Sequence, residues 1–482
     1  MTHRFRRARP AQMVAALGPV LVALTCAPAA LAATLAAGAG KTYATPCAAI
    51  AAAKAGDVIE VDAASYDGDT CAWSTDNLTV RGVGGRAKID LKGGAPAQKK
   101  GIFTIAAPNA TIENFEFAGA AISAADGNNG AGIRHQGVNL TVRGCYFHDN
   151  QNGILGAPSV ADQGDVLIES SEFGNNGAGD GFSHNMYLNH YASFTLRGSY
   201  THGAKVGHLI KTRAQVSTIA YNRITDESGT TASYEVDAPN GGTVIIVGNL
   251  IEQSNESQNP TVVAYAEEGA TNADQHVYFV NNTVVSDRAA GGTFLNFAGA
   301  PVALVANNIF KGKGTICSLM TATLTHNWTD AQGDPMLASP ATFDYHLAQG
   351  SPCVDQALAP VAGPGKSLLA IVDEYVHSAK LEPRSVVGAA PDIGAYEYGN
   401  VASPPDAGPL PQDGGPDASA GGDGGSAPAG GDAGAPAGPS GEPAGCACSQ
   451  TGAAAGGGSG ATAWLLAMAL CLLSRRTRPA RT

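Results

Sequence analysis

The chain has 482 residues, 44% of them hydrophobic, and carries 29 Lys or Arg against 41 Asp or Glu for a formal charge of −12. That much apolar residue excludes a wholly disordered chain, and the acid excess excludes general nucleic-acid affinity. The length allows more than one ordinary domain, but neither end reads as domain material. Residues 1–32 open with Arg4, Arg6, Arg7 and Arg9, continue with an apolar run from Met13 to Leu24, and close on Ala30-Leu31-Ala32. A basic start, a short apolar core and a small-x-small end are the marks of a cleaved export signal.

The body, 33–400, begins with "PCAAIAAAKAGDVIEVDAASYDGD" from Pro46 to Asp69. This predicts a short Ala-rich helix with Pro46 in its first turn, followed by a strand and a turn. Further on, short strands recur as "LTVRGCYF", "VLIESSEF", "FTLRGSYT", "STIAYNRI", "VIIVGNLI", "VYFVNNTV" and "ALVANNIF". Aligned, they place Cys145, Ser171, Ser199, Asn222, Asn249, Asn282 and Asn307 at one position, with steps of 26, 28, 23, 27, 33 and 25 residues. A period in the twenties, β-branched alternation and a polar residue in a fixed turn predict an all-β chain. It folds as a single right-handed parallel β-helix of about ten coils, capped by the N-terminal helix. Stacked coils would let Asn222, Asn249, Asn282 and Asn307 form a hydrogen-bonded ladder. A second strand per coil is visible in "NGILGA", "HNMYLNH", "GHLIKTR", "SYEVDA", "TVVAYA" and "TFLNFA". One motif per coil argues against the hairpins that a β-sandwich would need.

The entry helix followed by Gly56-Asp57, an apolar strand and Ser65-Tyr66 resembles the pectate-lyase-like β-helix superfamily. So do the closing segments "FDYHLAQGSPCVDQA" and "PDIGAYEYG". The resemblance spans nearly all of residues 40–399. It implies the fold strongly and the reaction weakly, because this fold hosts lyases, hydrolases, epimerases and non-catalytic adhesins. In an oxidising compartment Cys47 with Cys71 and Cys317 with Cys353 are the expected disulfides, one near each end of the body, with Cys145 buried and free. Residues 401–445 are Pro, Gly, Ala, Ser and Asp with almost no large apolar side chain, a linker that cannot bury a core. In 446–482, Cys446 and Cys448 precede the apolar run "ATAWLLAMALCLL" and Arg475, Arg476, Arg478 and Arg481. With Gly445 before Cys446, the order resembles the myxobacterial-type C-terminal sorting tail. The resemblance implies an exported protein at the outer surface or envelope, attached to a membrane through this segment or released from it. A monomer is expected.

Charge within the body is uneven. From Gly181 to Thr225 there are Arg197, Lys205, Lys211, Arg213 and Arg223 and no acid at all. A basic band on an acidic body favours a localised anionic partner, an acidic polysaccharide. If Ile210 and Thr212 face inward, period two sends Lys211 and Arg213 outward, with Tyr187 and Asn189 from the coil before and Glu235 and Asp237 from the coil after. Tyr234 and Val236 would then be inside, and His184, Asn185, His190, Lys205 and His208 would border the patch as substrate contacts. This set suits β-elimination on a uronic-acid polymer. That reaction needs the carboxylate neutralised, a base to take the adjacent proton and an acid for the leaving oxygen. Arg213 matches the carboxylate by its fork, Lys211 is the candidate base if Arg213 lowers its pKa, and Tyr187 or His208 is the acid. Glu235 and Asp237 would hold Ca²⁺, as the resemblance to lyases of this fold implies.

Two other readings compete. Lys211 and Arg213 could pair with Glu235 and Asp237 as an inter-coil charge ladder, in a surface protein that binds polysaccharide without catalysis. Alternatively, Glu235 and Asp237, about 6.5 to 7 Å apart on one strand, could serve a glycoside hydrolase. The basic band one coil away favours the lyase over the hydrolase.

Overall fold

The computed structural model describes residues 32–157, 164–227, 229–358, 361–366 and 368–400. The segments expected as a linker and a sorting tail, and all but the last residue of the one expected as an export signal, lie outside these. Among the described residues no helix is long and apolar enough to cross a membrane.

The body winds through three parallel sheets of 12, 10 and 10 strands. One coil supplies Val216–Ala220 to the first sheet, Arg223–Thr225 to the second and Val236–Ala238 to the third. Each strand pairs in register with its counterpart in the next coil: Val216 with Thr243, Arg223 with Leu250, Val236 with Val263. The chain is therefore a single right-handed parallel β-helix. Alternation fills its interior: Leu196, Ile219, Ile246, Phe279 and Val305 lie in one register column, all 0% exposed. On the second sheet, in the coils before that of Leu196, Phe117, Phe147 and Phe173 stack with ring centroids 5.1 and 4.8 Å apart.

Each repeat that reads in the sequence as one strand is two strands joined by a corner. The residue before the ladder position adopts a left-handed conformation, as at Ser170 (φ 47°), Tyr221 (φ 55°) and Asn281 (φ 51°), and turns the chain from the first sheet into the second. The ladder itself forms. The Nδ2 of Asn222 donates to Oδ1 of Asn249 at 3.0 Å, Asn249 to Asn282 at 3.0 Å, and Asn282 to Asn308 at 3.0 Å. Asn308, not Asn307, is thus the ladder residue of its coil. Asn307 takes the left-handed turn position (φ 60°) and accepts the Leu358 N–H.

The ends are closed in different ways. At the start, helix Pro46–Ala52 is capped by Thr45, whose side chain accepts from the Ala48 N–H, and it buries Ala49 and Ile50 over the first coils. Cys47 and Cys71 are disulfide-bonded there, Cα atoms 5.7 Å apart, and Cys145 is buried and free, as expected. The second expected bridge is absent. Cys317 ends a strand of the third sheet against the main core, while Cys353 is buried in a separate cluster with Tyr345 and Tyr396, and both are free thiols. That second cluster belongs to the closing segment, which folds back over the solenoid. Asn281 donates to the Asp392 and Gly394 carbonyls, and Arg384, 8% exposed, pairs with Glu397 at 2.9 Å.

Candidate functional site

The third sheet carries the basic band. Strands Met186–Leu188, Ile210–Thr212 and Val236–Ala238 are neighbours in it, and Tyr187, Lys211 and Asp237 share one register row. Ile210 and Thr212 point into the core and Lys211 and Arg213 away from it, as period two demands. The period breaks where the chain enters this sheet. Leu209 and Ile210 are both interior, and so are Glu235 and Val236, because the residue before each strand still belongs to the corner. The expected faces of Tyr234 and Glu235 are consequently exchanged. Tyr234 lies outside with its ring on His208 (centroids 4.9 Å, 7° between planes), and His208 in turn stacks on His184 at 4.5 Å.

This exchange removes the expected pair of carboxylates from one face. Glu235 is fully buried, within reach of Gln253 and beside Asp226 and Glu252, and burial followed by these like charges pushes its pKa far up. Asp237 faces Lys211 at 3.1 Å instead. The two oxygens of a Ca²⁺ site or of a hydrolase pair therefore do not converge, and the residues do not fit the cation expected between them. Among the described residues no three His, Cys, Asp or Glu side chains are grouped as metal ligands.

The cations are held by an acid the sequence reading missed. Glu268 places one oxygen 3.0 Å from Lys211 Nζ and the other 2.6 Å from Arg213 Nη2. It comes from the turn after strand Thr261–Tyr265, where Ala266 (φ 56°) and Gly269 (φ 109°) fold the chain back toward the two coils before. The neighbouring Glu267 accepts from the Tyr234 hydroxyl at 2.9 Å. Arg213 also donates to the Tyr187 hydroxyl at 2.7 Å and to Oδ1 of Asn240. The acid pair Glu267-Glu268 before a glycine was the available signal, one coil beyond Asp237.

Burial works against the Lys211 charge, but Asp237 and Glu268 outweigh it and hold its pKa above the ordinary value. Arg213 does not make it a neutral base, which corrects the expected role. Burial likewise opposes the Glu268 charge, and Arg213 and Lys211 keep its pKa low. Asp237 is the group moved toward neutrality: burial pushes it up to about 6 despite Lys211. His184 is pushed down to about 3 by burial and Lys211, and its Nδ1 accepts the His208 N–H at 2.9 Å. His208 is also held neutral, by burial and then His184, with Nε2 3.9 Å from Asp237.

The remaining expected contacts divide. Asn189 and His190 border the strand end, the Asn189 side chain accepts from the His190 N–H, and burial followed by Arg213 lowers the His190 pKa. Asn185 is interior: its Nδ2 donates to the Phe173 and His202 carbonyls and its Oδ1 accepts from Asn176. It is a second ladder residue, not a surface contact. Lys205 pairs with Asp149 at 3.3 Å, half-exposed and apart from the cluster.

The site is layered. Glu268 has a side chain 49% exposed, whereas Arg213, Lys211 and Asp237 are at 14, 11 and 5%. A ligand arriving from solvent meets Glu268 first, with the two cations beneath it and Asp237 and His208 lower still.

Three solved structures are similar to this chain. A pectate lyase is 14% identical, with a TM-score of 0.51 over 76% of this chain and 96% of its own. An alginate lyase from a Paenibacillus species is 14% identical over 62% of this chain and 99% of its own, with a TM-score of 0.36. A pectin methylesterase from Aspergillus niger is 11% identical over 61% and 89%, with a TM-score of 0.34. At 14% identity the likeness to the pectate lyase is one of fold alone. No protein-family model matches the sequence, and no curated protein matches it as a relative.

Proposed function

We propose that this β-helix acts on acidic polysaccharide at the third sheet, with Lys211 and Arg213 as the seat for a uronate carboxylate. The observation that carries this is the placement of Glu268: two cations grip one carboxylate, one oxygen each, on an outward row. A substrate carboxylate would take the same seat once Glu268 swings aside on its turn. Lys211, held charged from two sides, serves as a clamp rather than as the base.

With the carboxylate neutralised, β-elimination needs a proton acceptor. In this reading Asp237 takes that role: burial pushes its pKa up to about 6, and it lies 3.1 Å from Lys211. It takes the proton next to the carboxylate, the carbon–carbon double bond forms, and the bond to the leaving oxygen breaks. The Tyr187 hydroxyl, beside Arg213, returns a proton to that oxygen. Incubation of the purified protein with pectate, alginate and chondroitin-type polymers, followed by the ultraviolet absorbance of the unsaturated uronate product, tests this. A rise lost in Asp237→Asn supports the lyase. A flat trace with unchanged reducing ends overturns catalysis.

A second reading, binding without turnover, is favoured by the closure of the network: Asp237 is only 3% exposed with Lys211 above it. In that case the clamp holds polymer and no product appears under any condition.

A further inference from the structure

Arg134 lies on strand Ala131–His135 of the third sheet. Register places it in the outward row already described, since Arg134 pairs with Leu155, Leu155 with Tyr187, and Tyr187 with Lys211. Three coil steps separate Arg134 from Lys211, about 14 Å along the solenoid axis.

Its surroundings set it apart from the other arginines. Every other arginine among the described residues holds an acceptor or a carboxylate: Arg81 with Glu60, Arg86 with the Gly144 carbonyl, Arg143 with Glu169, Arg197 with Asp373, Arg213 with Glu268, Arg223 with Glu227, Arg288 with the Ser257 carbonyl and Arg384 with Glu397. Among the described residues Arg134 has no such partner, and its Nε is buried without a hydrogen bond. Burial lowers its pKa and no carboxylate offsets this. A half-buried guanidinium left unpaired among the described residues carries a desolvation cost that no described acid relieves. An external anion would relieve it. The planar fork matches a carboxylate, and Tyr187, half-buried between Arg134 and Lys211 in the row, offers a ring face to the C–H face of a sugar.

We propose that Arg134 is a second carboxylate subsite, so that an acidic polysaccharide lies along the third sheet, parallel to the solenoid axis. One uronate sits on Arg134 and a later one on the Lys211–Arg213 pair. The assignment rests on the reading of that pair as a carboxylate seat. It adds the direction of the bound chain and a minimum length.

Calorimetric titration of the full chain with uronate dimers and hexamers (galacturonate, mannuronate and guluronate series) tests it. Arg134→Gln is expected to weaken hexamer binding by about tenfold, the order for one lost charge-assisted hydrogen-bonded contact, and to leave the dimer unchanged. Arg213→Gln is expected to weaken both, and Arg81→Gln, on the first sheet, neither. Because Arg134 has no partner among the described residues, Arg134→Gln should also melt no lower than the parent, a readout that a structural role would move. If Arg134→Gln proves unfolded, Arg134→Lys, which keeps the charge and loses the fork, is expected to give an intermediate hexamer affinity. Wild-type hexamer affinity in the Arg134 variants, with Arg213→Gln still weakened, overturns the second subsite and leaves the first. No effect from either variant, or no binding of any uronate oligomer by the parent, overturns both.

Discussion

The first and third sheets both carry charged rows on their outer faces, but the rows behave differently. On the first sheet Arg143 lies between Glu113 and Glu169, with side chains 44, 25 and 27% exposed, and the same pattern recurs at Glu60 and Arg81. Water screens these pairs, so each adds well under about 1 kcal/mol, and they do little beyond marking the coil spacing. On the third sheet Lys211 and Asp237 are 11 and 5% exposed beneath an aromatic edge of His184, His208 and Tyr234. There the same chemistry shifts pKa values and leaves groups that depend on one another. The sequence pattern of the two rows is similar; desolvation makes one structural and the other a candidate for chemistry.

Three substitutions sharpen this contrast. Lys211→Met should have the largest effect, because it leaves Asp237 buried without its counter-charge: about 3 kcal/mol lost at pH 7 by chemical denaturation. The loss should shrink toward pH 5, where Asp237 can protonate. An equal loss at both values would contradict the coupling.

Next comes the corner behind the row. Glu235, Glu252 and Asp226 all have pKa values raised above their ordinary range, first by burial. A carboxyl whose folded pKa is raised contributes stability that is present below its unfolded pKa and is lost as pH rises through the folded one. The fold should therefore weaken as pH climbs from about 4 through neutrality. Glu235→Gln, which stays neutral, should flatten that slope and raise the melting temperature at pH 8 by about 2 °C. A lower melting temperature at pH 8 would mean that Glu235 is ionised and paired.

Arg143→Ala on the first sheet should have the smallest effect, under about 1 kcal/mol and smaller still in high salt. A loss above about 2 kcal/mol would erase the distinction between the two sheets.

The repeat made the solenoid legible because ladder positions and inward apolar residues recur at nearly fixed offsets. Lys211 and Arg213 could be placed outward for the same reason. The failures cluster at corners. Period two puts Glu235 outward, but alternation does not survive the bend before Val236. Two adjacent asparagines, Asn307 and Asn308, follow the strand of that coil; the first takes the left-handed turn, as Asn281 does one coil earlier, and the second joins the ladder. Glu268 lies outside the repeat, on a turn whose direction depends on the backbone at Ala266 and Gly269. Asn185 reads in the sequence as a surface residue because its ladder partner Asn176 belongs to the same coil, nine residues earlier.

The most direct test of the account is the affinity of a uronate hexamer for Glu268→Ala compared with the parent. If Glu268 occupies the substrate carboxylate's seat, emptying that seat should tighten binding by about tenfold at low salt, since Lys211 keeps Asp237 and Arg213 keeps Asn240 and Tyr187. Unchanged or weaker binding would show that the pair serves only to hold Glu268, and the proposed site would fall with it.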